Sequence, residues 1–323
     1  MGPRAAGAYG RMTPPTAIGV LLMAHGTPSG PDQVEAFYTH IRRGRPPTAA
    51  ELDELQMRYA AIGGVSPLTE RTKAQARCLN AALDARSNDG DGLSYVVALG
   101  NKHTEPMIED AVEQLVAAGV ERIVGLVLAP HFSRRSVGEY HERAVTAAAG
   151  RLALETIASW HDEPELIALL ARRVAEVTPP DALLIVTAHS LPLPALADDD
   201  PYVAEVTHTA ALLAAAVNAA HHRVAWQSGG RGGVAWLEPD VRDVIAEEAD
   251  RGETAVVVCA AGFTAEHLEV AYDLDIEAAA IAEKHKIAFA RTRSLDDDPA
   301  FCALLADLVV RAVTNERAPR LVS

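Results

Sequence analysis

The sequence predicts an α/β protein of two similar Rossmann-like domains, each a four-stranded parallel sheet flanked by helices. Short apolar runs rich in β-branched residues alternate with longer segments of helical period, the order that gives parallel sheets covered on both faces. The runs are apolar throughout rather than alternating, as in Thr254-Ala-Val-Val-Val-Cys259, which suits strands buried on both sides. They fall into two sets of four that split near residue 160, and 323 residues is a length suited to two ordinary domains. The domains are therefore placed at 17–160 and 161–323, after a disordered tail over 1–16.

In chain order, the first set of strands is expected at 18–24, 95–99, 122–128 and 152–157. The first strand ends in Met23-Ala24-His25-Gly26-Thr27-Pro28, where Gly26 and Pro28 enforce a turn and leave His25 and Thr27 at a strand end. Helices are expected over 51–61, 66–86, 107–118 and 139–149. Gly63-Gly64 permits close backbone approach between the first two, and Ser66 is placed to cap the second or touch a ligand. The second set of strands is expected at 182–187, 223–226, 254–260 and 287–290, with helices over 164–177, 202–221, 241–248 and 268–284. A last helix, 298–313, can pack on either half. The strand ending at Thr187 leaves His189 just beyond it, and Pro192 closes off further pairing.

A net charge of −15 argues against nonspecific nucleic-acid binding and against a surface that seeks anionic membranes. No run of about 20 apolar residues exists, and residues 1–16 lack the apolar core of a signal peptide. A soluble, cytoplasmic protein without stable membrane association is expected. Cys78, Cys259 and Cys302 are far apart and form no CxxC pair, so reduced thiols are expected rather than disulfides or a cysteine-bound metal or cluster. Cys259, inside a strand run, reads as a small apolar residue.

The chemistry gathers at strand ends. From about Thr264 the pattern turns helical, and Glu269, Asp273 and Glu277 then stand at i, i+4 and i+8, one face of a regular helix. Such a row is either a solvated acidic face or a track for cations and protons. His189, at the end of another strand, can face Glu269 across one crevice at the carboxyl ends of the sheet, a pair suited to removing protons near neutral pH. Read alone, it is more often a hydrogen-bonded structural histidine. Arg42, Arg43 and Arg45 form a basic patch that suits carboxylates or phosphates, or else a solubilising surface.

Five ordered motifs resemble the ferrochelatase family: Gly63-Gly-Val-Ser-Pro-Leu68; Leu128-Ala-Pro-His-Phe-Ser133 with Ser136-Val-Gly-Glu-Tyr140; Thr187-Ala-His-Ser-Leu-Pro192; Trp226-Gln-Ser with Trp236-Leu-Glu-Pro-Asp-Val241; and the run from Gly262 to Glu277. The resemblance covers about residues 18–313 and is nearest to the compact bacterial type that works on coproporphyrin III, which shares the Tyr38–Arg45 run. It implies two chelatase-type domains and a metal chelatase that inserts Fe2+ into coproporphyrin III in haem biosynthesis. His189 and Glu269 are then the catalytic pair flanking the metal, with Asp273 and Glu277 as further metal-handling residues. His25, Thr27, Arg42, Arg58, Ser66, His103 and Tyr140 take substrate-binding positions. The resemblance implies no resident cofactor, since the C-terminal cysteine cluster of iron–sulfur relatives is absent. It also implies the downstream coproheme decarboxylase as a protein partner.

One position departs from the pattern: close relatives of this type usually carry Tyr where this chain has His25. Histidine is the better nitrogen ligand for transition metals, which keeps two other readings open. One is a chelatase for another metal or tetrapyrrole. The other is a non-catalytic haem or porphyrin carrier with His25 as axial ligand.

Overall fold

The computed structural model describes residues 16–87, 93–179, 181–230, 233–314 and 320–322. The first half runs β1 (Thr16–Ala24), α1 (Val34–Ile41), α2 (Ala49–Ala61), α3 (Leu68–Ser87), β2 (Leu93–Asn101), α4 (Ile108–Ala117), β3 (Arg122–Val127), α5 (Val137–Ala148) and β4 (Ala153–Ser159). The second runs α6 (Pro164–Val177), β5 (Leu183–His189), α7 (Tyr202–Ala216), β6 (His222–Gln227), α8 (Val241–Asp250), β7 (Ala255–Cys259), α9 (Leu268–Tyr272), a π-helical turn (Asp273–Ala278), α10 (Ala279–His285) and β8 (Ala288–Arg291). Then come α11 (Pro299–Thr314) and β9 (Arg320–Val322).

The strand order is β2-β1-β3-β4 in the first sheet and β6-β5-β7-β8 in the second, so each half repeats one parallel topology. The first sheet gains a fifth strand, since β9 pairs antiparallel with β4. Of the expected tail, residues 1–15 lie outside the described residues, while Thr16 already pairs with Leu93 in β1. Several boundaries move. The helix expected over 202–221 ends at Ala216, and His189 is the last residue of β5, paired with Gln227, rather than a residue beyond it.

Alternation along β1 explains the layers. Ile18, Val20 and Leu22 join a core shared by both halves, together with Leu184 and Val186 of β5 and the apolar face of α11. Leu21 and Met23 face the opposite way, onto α4 and α5. Ile185, Val256 and Val258 do the same against α8 and the segment 270–282. Both sheets are thus covered on both faces, which is why their strands read as unbroken apolar runs.

Candidate active site

The carboxyl ends of β1, β5 and β7 open into one cleft, the place where parallel α/β sheets bind ligands. It has two lobes of about 460 and 280 Å³ that share His25, Leu68, His189, His267 and Glu269. Gly26, at φ +82°, turns the chain out of β1, and an added Cβ there would strike the Thr104 hydroxyl. This turn sets His25 at the junction of the lobes.

His189 Nε2 lies 3.5 Å from Glu269 Oε2, and its Nδ1 donates to the Ser190 carbonyl. Across the same carboxylate stands His267, its Nε2 also 3.5 Å from Glu269 Oε2 and its Nδ1 3.0 Å from the Ala265 carbonyl. Enclosure in the cleft disfavours charge on His189, yet the Glu269 carboxylate outweighs it and raises the imidazole pKa to about 9. Burial likewise works against a charged Glu269, but His189 and His267 hold its pKa well below the ordinary carboxylate range. At neutral pH the two therefore form an ion pair. Gly262 packs directly behind them: a Cβ there would lie 2.6 Å from Ala188 Cβ.

The acidic row departs from its expected geometry. Residues 264–267 are loop and α9 begins only at Leu268. The helix then widens into the π turn at Asp273, so the three carboxylates do not sit on a regular α-helical face. They nevertheless line one lobe together. Asp273 is almost fully enclosed between Arg58 at 2.7 Å and Ser228 Oγ at 2.5 Å. Its pKa rises to about 6, since burial outweighs the help of Arg58. Glu277 meets Arg242 at 3.0 Å.

The remaining expected residues divide. Thr27, Arg58 and Ser66 line the larger lobe, with Thr27 Oγ1 3.1 Å from Tyr59 Oη and Ser66 Oγ accepting from the Leu68 amide at the start of α3. Tyr140 lines the smaller lobe beneath Lys102, whose Nζ lies 4.9 Å from its ring centroid. His103 stands behind His25, ring centroids 4.7 Å apart, with Nδ1 3.0 Å from His40 Nδ1. Burial lowers the pKa of both His25 and His103, keeping the pair neutral at physiological pH. Arg42 is held by Glu51 at 2.6 Å and Arg43 by Glu139 at 2.9 Å, while Arg45 Nε donates to the Arg42 carbonyl; of these residues it is Glu51 that lines the cleft.

Sequence reasoning passed over His267 and Arg242, although both stand inside quoted motifs or next to them. A helix starting at Thr264 would turn residues 267 and 269 about 200° apart, and only the extended loop before α9 lets His267 reach the Glu269 carboxylate.

A family model described as Ferrochelatase matches residues 17–313. The chain belongs to the ferrochelatase family. The coproporphyrin III ferrochelatase of Geobacillus thermodenitrificans is 40% identical over 309 residues, covering 93% of this chain and 97% of that protein. Coproporphyrin III ferrochelatase 2 of Bacillus anthracis is 41% identical over 303 residues, covering 91% and 94%. Among solved structures, SirB from Bacillus subtilis with Fe3+ superposes with a TM-score of 0.58 at 14% identity, covering 94% of this chain and 97% of that one. At that identity the likeness is one of fold, and it matches the two-domain architecture of this ferrochelatase. No helix among the described residues is long and apolar enough to cross a membrane.

Proposed function

We propose that this ferrochelatase inserts ferrous iron into coproporphyrin III, giving Fe-coproporphyrin (coproheme) for haem synthesis. The names of relatives 40% identical over nearly the whole chain support the substrate. The observation that carries the chemistry is the His189–Glu269 pair at the junction of the two lobes, with His25 at the same junction.

Metal insertion replaces two pyrrole protons with one dication, so the site must hold a cation and accept protons. Glu269 and His189 can divide that work. A dication arriving at Glu269 cancels the field that holds the proton on His189, so the imidazole loses its proton and becomes the base. Asp273 and Glu277 extend a carboxylate path to that point, and the neutral His25–His103 pair offers a nitrogen face without adding charge. Thr27, Ser66 and Tyr140 offer polar contacts to the macrocycle or its propionates; Arg58 and Arg42 can do so by exchanging their present carboxylate partners. The reaction needs no resident cofactor. The product would pass to a coproheme decarboxylase in the cytoplasm.

The test is anaerobic metallation followed by absorbance, with coproporphyrin III, protoporphyrin IX or sirohydrochlorin as acceptor and Fe2+, Co2+ or Zn2+ as metal. We expect Fe2+ with coproporphyrin III to be the fastest pair, and His189→Ala to fall by at least about 100-fold while still binding porphyrin. Tight porphyrin binding without metallation by any of the three ions would leave a carrier instead.

A further inference from the structure

A group of side chains that could hold a metal ion lies where the halves meet. His161 follows β4, while His208 projects from α7 of the other half. We propose that His161, Asp162 and His208 form a site for a divalent first-row transition ion. His161 is buried, and its Nδ1 lies 2.8 Å from Ser159 Oγ and 3.5 Å from Glu205 Oε2. A carboxylate behind a histidine in this way fixes the tautomer and presents the other ring nitrogen to a metal. That nitrogen, Nε2, is 3.3 Å from His208 Nδ1, Asp162 Oδ1 lies 4.0 Å from His161 Nδ1, and one ligand atom from each of the three residues lies within 4.8 Å of the others. A tetrahedral ion with bonds of about 2.0–2.1 Å to nitrogen sets neighbouring ligand atoms roughly 3.3 Å apart, so the two imidazoles already stand at that spacing.

Two imidazoles and one carboxylate suit zinc, cobalt or ferrous iron, and not calcium or magnesium, which prefer all-oxygen shells. The ion would act as a staple. Glu205 Oε2 also accepts from the Phe132 amide at 2.7 Å, and Thr209 Oγ1 donates to the His161 carbonyl at 3.0 Å. These bonds tie α7 to the segment after β4 and to the loop 128–136, part of which lines the cleft. Metal at His208 would lock that junction.

The probe is Co2+ added to the full-length protein carrying His189→Ala and Glu269→Gln, which removes the cleft pair from the titration. We expect one equivalent to bind with the visible bands of a four-coordinate ion. His208→Ala on that background should abolish the bands, and Asp162→Asn should weaken binding at least tenfold. Excess Zn2+ should raise the melting temperature of the background protein but not of the His208→Ala form. Both His208 and Asp162 are exposed, so either change should leave the fold intact by circular dichroism. Absence of the bands in the background protein overturns the proposal. So does their survival in a folded His208→Ala or an unaltered affinity in Asp162→Asn, either of which reduces the His161–His208 contact to a hydrogen bond.

Discussion

His189 is held by one carboxylate, and its protonation makes that dependence measurable. Its folded pKa, about 9, stands above the usual 6.5. Below about pH 6.5 the imidazole is charged in both folded and unfolded chains, and the folded form keeps the full ion-pair benefit. As pH rises through about 9 the proton leaves and the benefit goes with it. The unfolding free energy of wild type relative to Glu269→Gln should therefore shrink by about 1 kcal/mol between pH 6.5 and 9.5, a figure reduced because the imidazole is partly open to solvent. Urea melts at the two pH values measure it, and a constant difference would remove the ion pair. The glycine behind the pair gives a second prediction. In Gly262→Ala the new methyl group must push the end of β5, and with it His189. A shift of roughly 1 Å should lower metallation by about 100-fold while porphyrin affinity changes little. The strand end at His189 and the carboxylate spacing at Glu269 each had a bland reading, and it was the resemblance of their motifs that joined them as a catalytic pair; the structure brings them to 3.5 Å. His267 was not legible, because its role depends on where α9 starts.

At the scale of elements, the segment from Leu268 to His285 carries the larger discrepancy. Carboxylates four apart read as a regular face, but backbone hydrogen bonding decides whether a turn is α or π, and side-chain spacing does not encode it. The wider turn seats Asp273 between Arg58 of α2 and Ser228 after β6, so three elements from two halves close around one acid. Arg58 also lies over the Tyr272 ring at 4.5 Å. Arg58→Leu leaves Asp273 enclosed with Ser228 alone, and we expect a loss of about 2–3 kcal/mol in unfolding free energy at pH 8, where the acid is charged. At pH 5, below its pKa of about 6, the acid is neutral and the loss should be smaller. Adding Asp273→Asn should recover much of the difference at pH 8, and equal losses at both pH values would show that Arg58 acts through packing on Tyr272 instead. Most other helices and strands were legible, because each run is apolar on the faces its sheet buries, but α1 and β9 had no such run and were not expected. The partners of Arg42 were not, since Glu51 reaches it only once α1 and α2 pack together.

The whole molecule is less divisible than its repeated topology implies. A split near residue 160 follows from counting strands, yet β9 returns from the C-terminus to the first sheet and α11 packs against α3, α6 and β3. Gln75 of α3, fully buried, donates to the carbonyls of Thr264 and Asp296 in the other half. Tertiary pairings of this kind have no local signal, which is why the sequence left α11 free to choose a side. Their consequence is cooperative. Phe301, fully buried in α11, sits 5.9 Å from Trp160 at the end of the first half, inside the core that also holds β1 and β5. Phe301→Ala should cost about 3–5 kcal/mol, the usual penalty for an aromatic cavity. If the shared core makes one folding unit, tryptophan fluorescence and the far-ultraviolet helix signal should move to the same lower urea midpoint in this variant. Separate midpoints would mean that each half keeps a stability of its own, and that the cleft between them can open without unfolding either.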